Sequence, residues 1–104
     1  MSMFSLFNKF SVKDGERDTF VAILLEAAES IKKLRECEIY LVSTTEDEAN
    51  SVYVYEVWRD QNAHQASLTL EASQQLIKQA KSIITGIERI NTLEVIGGKG
   101  IIQG

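Results

Sequence analysis

His64 is the chain's one histidine and Cys37 its one cysteine. Imidazole is the side chain whose ordinary pKa lies nearest neutrality, so His64 could take a proton from a hydroxyl held against it. Ser67 and Glu71 follow at i+3 and i+7, a spacing that stacks side chains on one helix face. The plainer reading of His64 is a surface or half-buried histidine on a polar face. A Ser-His-acid triad on one helix is excluded, since such triads need a strained nucleophile turn and an oxyanion hole and neither has a signature here. Glu56 lies between Val54 and Trp58 on one strand face. A carboxylate in an apolar place must find a partner, such as Arg89 or a backbone N–H, or its pKa rises and it becomes a candidate base. The salt bridge or a subunit contact is the plainer outcome. Asn8 is the polar exception on an otherwise apolar strand face, and a buried amide has to be hydrogen-bonded; facing a ligand is one reason to keep it there. Phe10 and Trp58 offer aromatic walls, although a tryptophan at the end of a sheet is more often core. Tyr53 and Tyr55 suit a pocket or, more simply, an interface. Cys37 reads as a small buried apolar residue.

Other chemistries drop out. One His and one Cys are too few for a closed four-ligand zinc site, and a lone cysteine forms no internal disulfide; no metal is expected. Lys plus Arg number 11 against 15 Asp plus Glu, a formal net charge of −4. That balance argues against a nucleic-acid binder and against a surface drawn to anionic lipid. Gly97-Gly98-Lys99-Gly100 lacks the spacing and the Ser/Thr of a phosphate loop; it reads as backbone needing positive φ, or as a tail. Glu46-Asp47-Glu48 reads as a solvated loop. No run is long and apolar enough to cross a membrane and no leader is evident, so a cytoplasmic protein is expected.

Periodicity locates the secondary structure that carries these side chains. The chain has 104 residues, 44% hydrophobic and 25% charged, which suits a single globular domain over residues 1–104. Met3 to Val12 alternates as a strand, with Phe4, Leu6, Asn8 and Phe10 on one face. It ends at Lys13-Asp14-Gly15, a turn able to cap a helix. Phe20, Ile23, Leu24, Ala27, Ala28 and Ile31 form a helical stripe. Cys37 to Thr44 and Ser51 to Trp58 read as strands flanking a polar loop, the second as a central strand. Val52, Val54, Glu56 and Trp58 share one of its faces, and Tyr53, Tyr55 and Val57 the other. Asp60 reads as an N-cap. Asn62 to about Thr85 reads as helix, broken near Thr69 to Ser73 and terminated by Gly86. Ile87 to Ile96 closes the order as a last strand. The result is β-α-β-β-α-(α)-β, a ferredoxin-like α+β arrangement: an antiparallel sheet with helices on one face. The other face needs a cover, and a second copy of the chain is the default one.

The run Val54-Tyr55-Glu56-Val57-Trp58, then Asp60 and a helix carrying His64 and Ser67-Leu68, resembles the antibiotic biosynthesis monooxygenase family. It is most similar to members termed quinol monooxygenases. The resemblance extends from the Asn8 strand to the Gly-Gly-Lys-Gly tail. It implies a dimeric α+β barrel with an apolar pocket between the sheet and helices of each subunit. It also implies oxidation of a quinol or phenolic small molecule by molecular oxygen with no cofactor, because a deprotonated dihydroxyaromatic can itself give an electron to oxygen. The pocket would bind the ring, favour its anion and shield it from water. On this reading His64 and Asn8 are the catalytic candidates, and Phe10, Trp58, Ser67 and Glu56 bind the substrate. The chain departs from the family pattern: Ser67 and Glu71 stand where many members carry histidines. In haem-degrading relatives an Asn, a Trp and a His act together; Asn8 could match the first, but Ser67 and Ile77 occupy the other two positions. An isomerase acting on a phosphorylated signal is disfavoured by the acidic balance and the lack of a phosphate cradle. The alternative function is a non-catalytic small-molecule-binding dimer of the same fold.

Overall fold

The computed structural model describes residues 2–100. Strand β1 (Met3–Val12) leads through a turn into helix α1 (Arg17–Ile31), followed by β2 (Cys37–Ser43) and β3 (Ser51–Trp58). Two helices, α2 (Gln61–Ser67) and α3 (Glu71–Ala80), then precede β4 (Ile84–Val95). The sheet is antiparallel throughout, in the order β2-β3-β1-β4. Ser51–Trp58, the run densest in aromatic and β-branched residues, is a central strand as expected, and β1 is the other central strand.

The alternation of β1 and β3 decides what meets the helices. Leu6, Val52, Val54 and Trp58 are fully buried. Phe20, Leu24 and Ala80 come down from α1 and α3 to complete a core with Val12 and Ile83. Each large apolar side chain buried here contributes about 1.5–3 kcal/mol. Phe10 packs on Phe20 with ring centroids 5.3 Å apart, tying β1 to α1. The buried stripe of α1 is Phe20, Leu24, Ala27 and Ile31, while Ile23 and Ala28 are half-buried.

Several local expectations are corrected. No side chain of Lys13 to Gly15 caps α1, whose N-cap is Glu16 with no side-chain cap bond; Gly15 instead supplies the turn's positive φ of 78°. The helix expected to run to Thr85 stops at Ala80, and Gly86 lies inside β4 rather than at a helix end. Tertiary pairing wins here: Val12 takes Ile84, and Ser11 takes Gly86, as strand partners. The long helical segment is divided at Leu68 to Leu70, where the Leu70 backbone is extended. Gln74 Nε2 donates to the carbonyl of Leu68 at 2.7 Å across the break. Gly98 and Gly100 have positive φ, consistent with reading the glycine tail as a backbone requirement.

Two register shifts interrupt the β1–β4 pairing. Phe7 pairs with Asn91 but Asn8 pairs with Arg89, leaving Ile90 as an extra residue in β4; a second shift lies between Ser11 and Val12. A one-residue slip turns every following side chain to the opposite face of a sheet. The bulge at Ile90 therefore puts Arg89 on the helix side, opposite Asn8.

Candidate functional site

Between the helix-facing side of the sheet and helices α1, α2 and α3 lies a cavity of about 520 Å³. Its walls are largely apolar: Phe10, Leu24, Val54, Trp58, Leu76 and Ile84 are among them. Asn8, Phe10, Glu56, Trp58, His64 and Ser67 all line it. Side chains separated by up to 59 residues meet because β1 and β3 are neighbours, with Asn8 opposite Val54 and Phe4 opposite Trp58. Helix α2 is laid across the end of β3.

That placement starts at Asp60. Its extended backbone and its carboxylate, which accepts from the Ala63 N–H at 2.7 Å, open α2 directly after the strand. A carboxylate N-cap answers one of the donors that a helix leaves free at its start. One turn later His64 faces back onto the sheet. Its ring lies 5.7 Å from the Trp58 ring, edge to face, and 5.8 Å from Phe4. Ser67 is buried beneath the same helix, and its hydroxyl donates to the His64 carbonyl at 2.6 Å.

Glu56 is the polar centre of the cavity. Trp58 Nε1 donates to Glu56 Oε1 at 2.9 Å. The same oxygen lies 3.8 Å from His64 Nε2, with 12% of the Glu56 side chain and 14% of the His64 side chain exposed. Burial pushes the Glu56 carboxyl above its ordinary value, against the pull of the Trp58 N–H and the Arg89 charge. Burial, helped by the Arg89 charge, pushes the His64 imidazole below its own. The two proton affinities are thereby drawn toward each other. One expectation is corrected: Arg89 forms no salt bridge with Glu56. The guanidinium acts on Glu56 from beyond contact, while its Nε donates to Asn8 Oδ1 at 2.6 Å and its Nη1 to Thr92 Oγ1 at 3.3 Å.

Glu71 does not join His64 and Ser67. The break at Leu68 to Leu70 starts a new helix, and Glu71 is exposed on a groove between α1 and α3. Conversely, the cavity gains residues that no local motif marks. Tyr40, opposite Glu56 on β2, contributes a phenol whose pKa is raised by burial and by the Glu56 charge. Lys81, just beyond α3, and Arg89, turned in by the β4 bulge, stand at the mouth with the exposed side chains of Leu68, Ile77 and Ile87. For Tyr40 and Arg89 the signal is pairing across strands, which no single stretch of sequence carries.

Tyr53 and Tyr55 lie on the opposite side of the sheet, packed on Phe7 at ring-centroid distances of 5.9 and 6.1 Å. There Glu48 takes an ion pair from Lys9 and a hydrogen bond from the Tyr53 hydroxyl. Cys37, expected to be buried, is half-buried, its thiol donating to the Ile39 carbonyl at 3.4 Å and pushed up by burial to about 12, which disfavours the thiolate. Among the described residues no cluster of His, Cys, Asp and Glu could hold a metal ion.

The sequence matches the family model for antibiotic biosynthesis monooxygenases over residues 3–79. Among solved structures, a candidate antibiotic biosynthesis monooxygenase from Chloroflexus aurantiacus J-10-fl is 31% identical, with a TM-score of 0.81; the match covers 95% of this chain and 98% of that one. A candidate of the same kind from Nitrosomonas europaea shares the fold at 13% identity and a TM-score of 0.79, covering 93% and 90% of the two chains. The protein PA3566 from Pseudomonas aeruginosa does so at 13% identity and a TM-score of 0.83, covering 93% and 97%. No curated protein sequence matches the chain.

Proposed function

Because this chain belongs to the antibiotic biosynthesis monooxygenase family, we propose that it oxidises a quinol or related phenolic compound with molecular oxygen, using no cofactor, in the cavity beside His64. The observation that carries this reading is the Glu56–His64 pair at 3.8 Å, set in an apolar cavity against Trp58. Cavities of this kind, apolar with a few convergent polar groups, are what small aromatic ligands occupy.

In this scheme the substrate ring lies among Phe10, Trp58 and the α2–α3 segment. Neutral His64 accepts the proton of a ring hydroxyl, and the Glu56 carboxylate offsets the charge of the imidazolium that forms. The pair suits this because burial moves their proton affinities toward each other. Asn8 gives its carbonyl oxygen to Arg89 and keeps its amide N–H groups for a substrate oxygen. Ser67 closes the cavity under α2. The phenolate transfers an electron to dioxygen, and the two radicals combine to form a ring C–O bond. Breakage of the O–O bond then sends one oxygen away as water. A quinol plus dioxygen thus yields a hydroxylated quinone plus water, the substrate supplying every electron. The apolar walls keep bulk water from the radical pair.

The sheet's other face would be covered by a second copy, giving the dimeric barrel. The same dimer acting only as a binder is the second reading. It is favoured by Ser67, which stands where many members carry a histidine and spends its hydroxyl on the His64 carbonyl.

The test is oxygen uptake by purified, metal-free and flavin-free protein over a panel of hydroquinones, naphthoquinols and polyphenols, with autoxidation blanks. Uptake above blank, falling about 100-fold or more in His64→Ala, is the expected result. Uptake indifferent to that substitution removes His64 as the base. Thermal shifts with these compounds and no uptake establish the binder instead.

A further inference from the structure

We infer that Arg89, with Lys81, is an anion anchor at the mouth of the cavity, and that the ligand is an aromatic compound bearing a carboxylate or similar anionic group as well as its hydroxyl. This rests on the cavity being the substrate site.

The bulge in β4 is the first observation. With regular pairing Ile90 would stand opposite Asn8, and Arg89 would point to the other side of the sheet; the extra residue brings Arg89 to the cavity side instead. Bulges recur beside binding sites because they re-aim one side chain at the cost of a ladder bond. The side chain so aimed is a permanent cation.

The second observation is how that cation is held. Its contacts are neutral: Asn8 Oδ1 at 2.6 Å, where Asn8 itself is buried, and Thr92 Oγ1 at 3.3 Å. These use two of five N–H donors and fix the orientation of the guanidinium plane. Among the described residues no carboxylate reaches salt-bridge distance of Arg89 or of Lys81. Two cations lacking carboxylate partners share the rim of one apolar cavity. A guanidinium with spare donors at the edge of low-dielectric walls recognises a carboxylate through charge-assisted hydrogen bonds. The ligand is thereby oriented, its hydroxyl at Glu56 and His64 and its anionic group outward at Arg89 and Lys81.

Calorimetric titration at neutral pH with 2-naphthol and 6-hydroxy-2-naphthoate tests this without turnover. The two differ only by the carboxylate. Wild-type protein is expected to bind the carboxylate about tenfold more tightly, with the preference shrinking as salt is raised. Arg89→Met should cost the carboxylate about tenfold and leave 2-naphthol within about twofold; Arg89→Lys should recover part of the loss. Lys81→Met, which disturbs no contact of Asn8, should narrow the preference in the same direction. It serves with the salt dependence if Arg89→Met fails to fold, as judged by circular dichroism. Binding of 2-naphthol with no preference for the carboxylate overturns the anchor and leaves the cavity reading intact. Failure of both compounds to bind overturns both readings.

Discussion

A carboxyl raised by burial and an imidazole lowered by it respond to pH in opposite directions, and folding stability should register each. Glu56 in the folded chain keeps a proton that the unfolded chain has already lost as pH rises past the ordinary carboxyl value of 4.5. Its contribution to stability therefore falls as pH climbs from there through the raised value and stays low above it. His64 behaves in the other sense. The unfolded chain takes up its proton first, so stability is intact above the ordinary 6.5 and is lost as pH falls from there through the lowered folded value. Glu56→Gln keeps an oxygen for the Trp58 N–H and deletes the charge. It is expected to match wild type near pH 4 and to exceed it in urea denaturation at pH 8; a difference independent of pH would show that this proton is not linked to folding. In the reaction proposed here, the lowered His64 value predicts that kcat/KM holds its plateau to somewhat below pH 6.5 before declining. A pH–rate profile shows whether that acid limb moves when Glu56 becomes Gln, as it must if the Glu56 carboxylate offsets the charge on His64.

At the level of elements, glycines give a sharp contrast. Gly86 lies within β4 without a positive φ, and a Cβ there would meet only Ser11 Cβ, at 3.9 Å. Gly86→Ala should raise stability by about 0.5–1 kcal/mol, since the folded backbone accepts alanine and the unfolded chain loses freedom. Gly15, at φ 78° in the turn between β1 and α1, should lose about 1–2 kcal/mol on the same substitution although the space around it is open. Chemical denaturation of the two variants side by side separates conformation from sterics. Helix α2 offers a functional counterpart. Asp60→Ala removes the bond to the Ala63 N–H and should cost about 1 kcal/mol. Because that short helix carries His64, oxygen uptake should fall by more than the loss of folded protein explains.

The whole molecule poses the question of the sheet's second face. Phe7, Tyr53 and Tyr55 form an aromatic patch there, flanked by Leu41, 56% exposed, and Leu93, 43% exposed. Cover by a second copy is the two-fold arrangement proposed above. The wild-type protein is expected to sediment as a dimer at micromolar concentration, and its melting temperature to rise with concentration. Leu41→Lys together with Tyr55→Lys should give a monomer that melts lower. A wild-type monomer at every concentration would remove the dimer from the scheme.

The elements themselves were legible in the residues. Alternation fixed the faces of Met3–Val12 and Ser51–Trp58, so the side on which Asn8, Phe10, Glu56 and Trp58 stand could be stated from the sequence. The helical stripe around Phe20 and Leu24, the Asp60 cap and the ferredoxin-like order could be stated as well. These are short-range properties, set by rotation per residue and by local hydrogen bonding. Three features belonged to the tertiary structure alone. Ile84 to Gly86 joined a strand rather than ending a helix, because β1 offered backbone partners that outweigh local propensity. Glu56 took Trp58 and His64 as neighbours instead of Arg89, because α2 folds back over the end of β3. Arg89 reached the cavity through a slip of one residue at Ile90. Register between strands far apart in the chain is chosen by the packing of both at once, and no local pattern of residues encodes that choice.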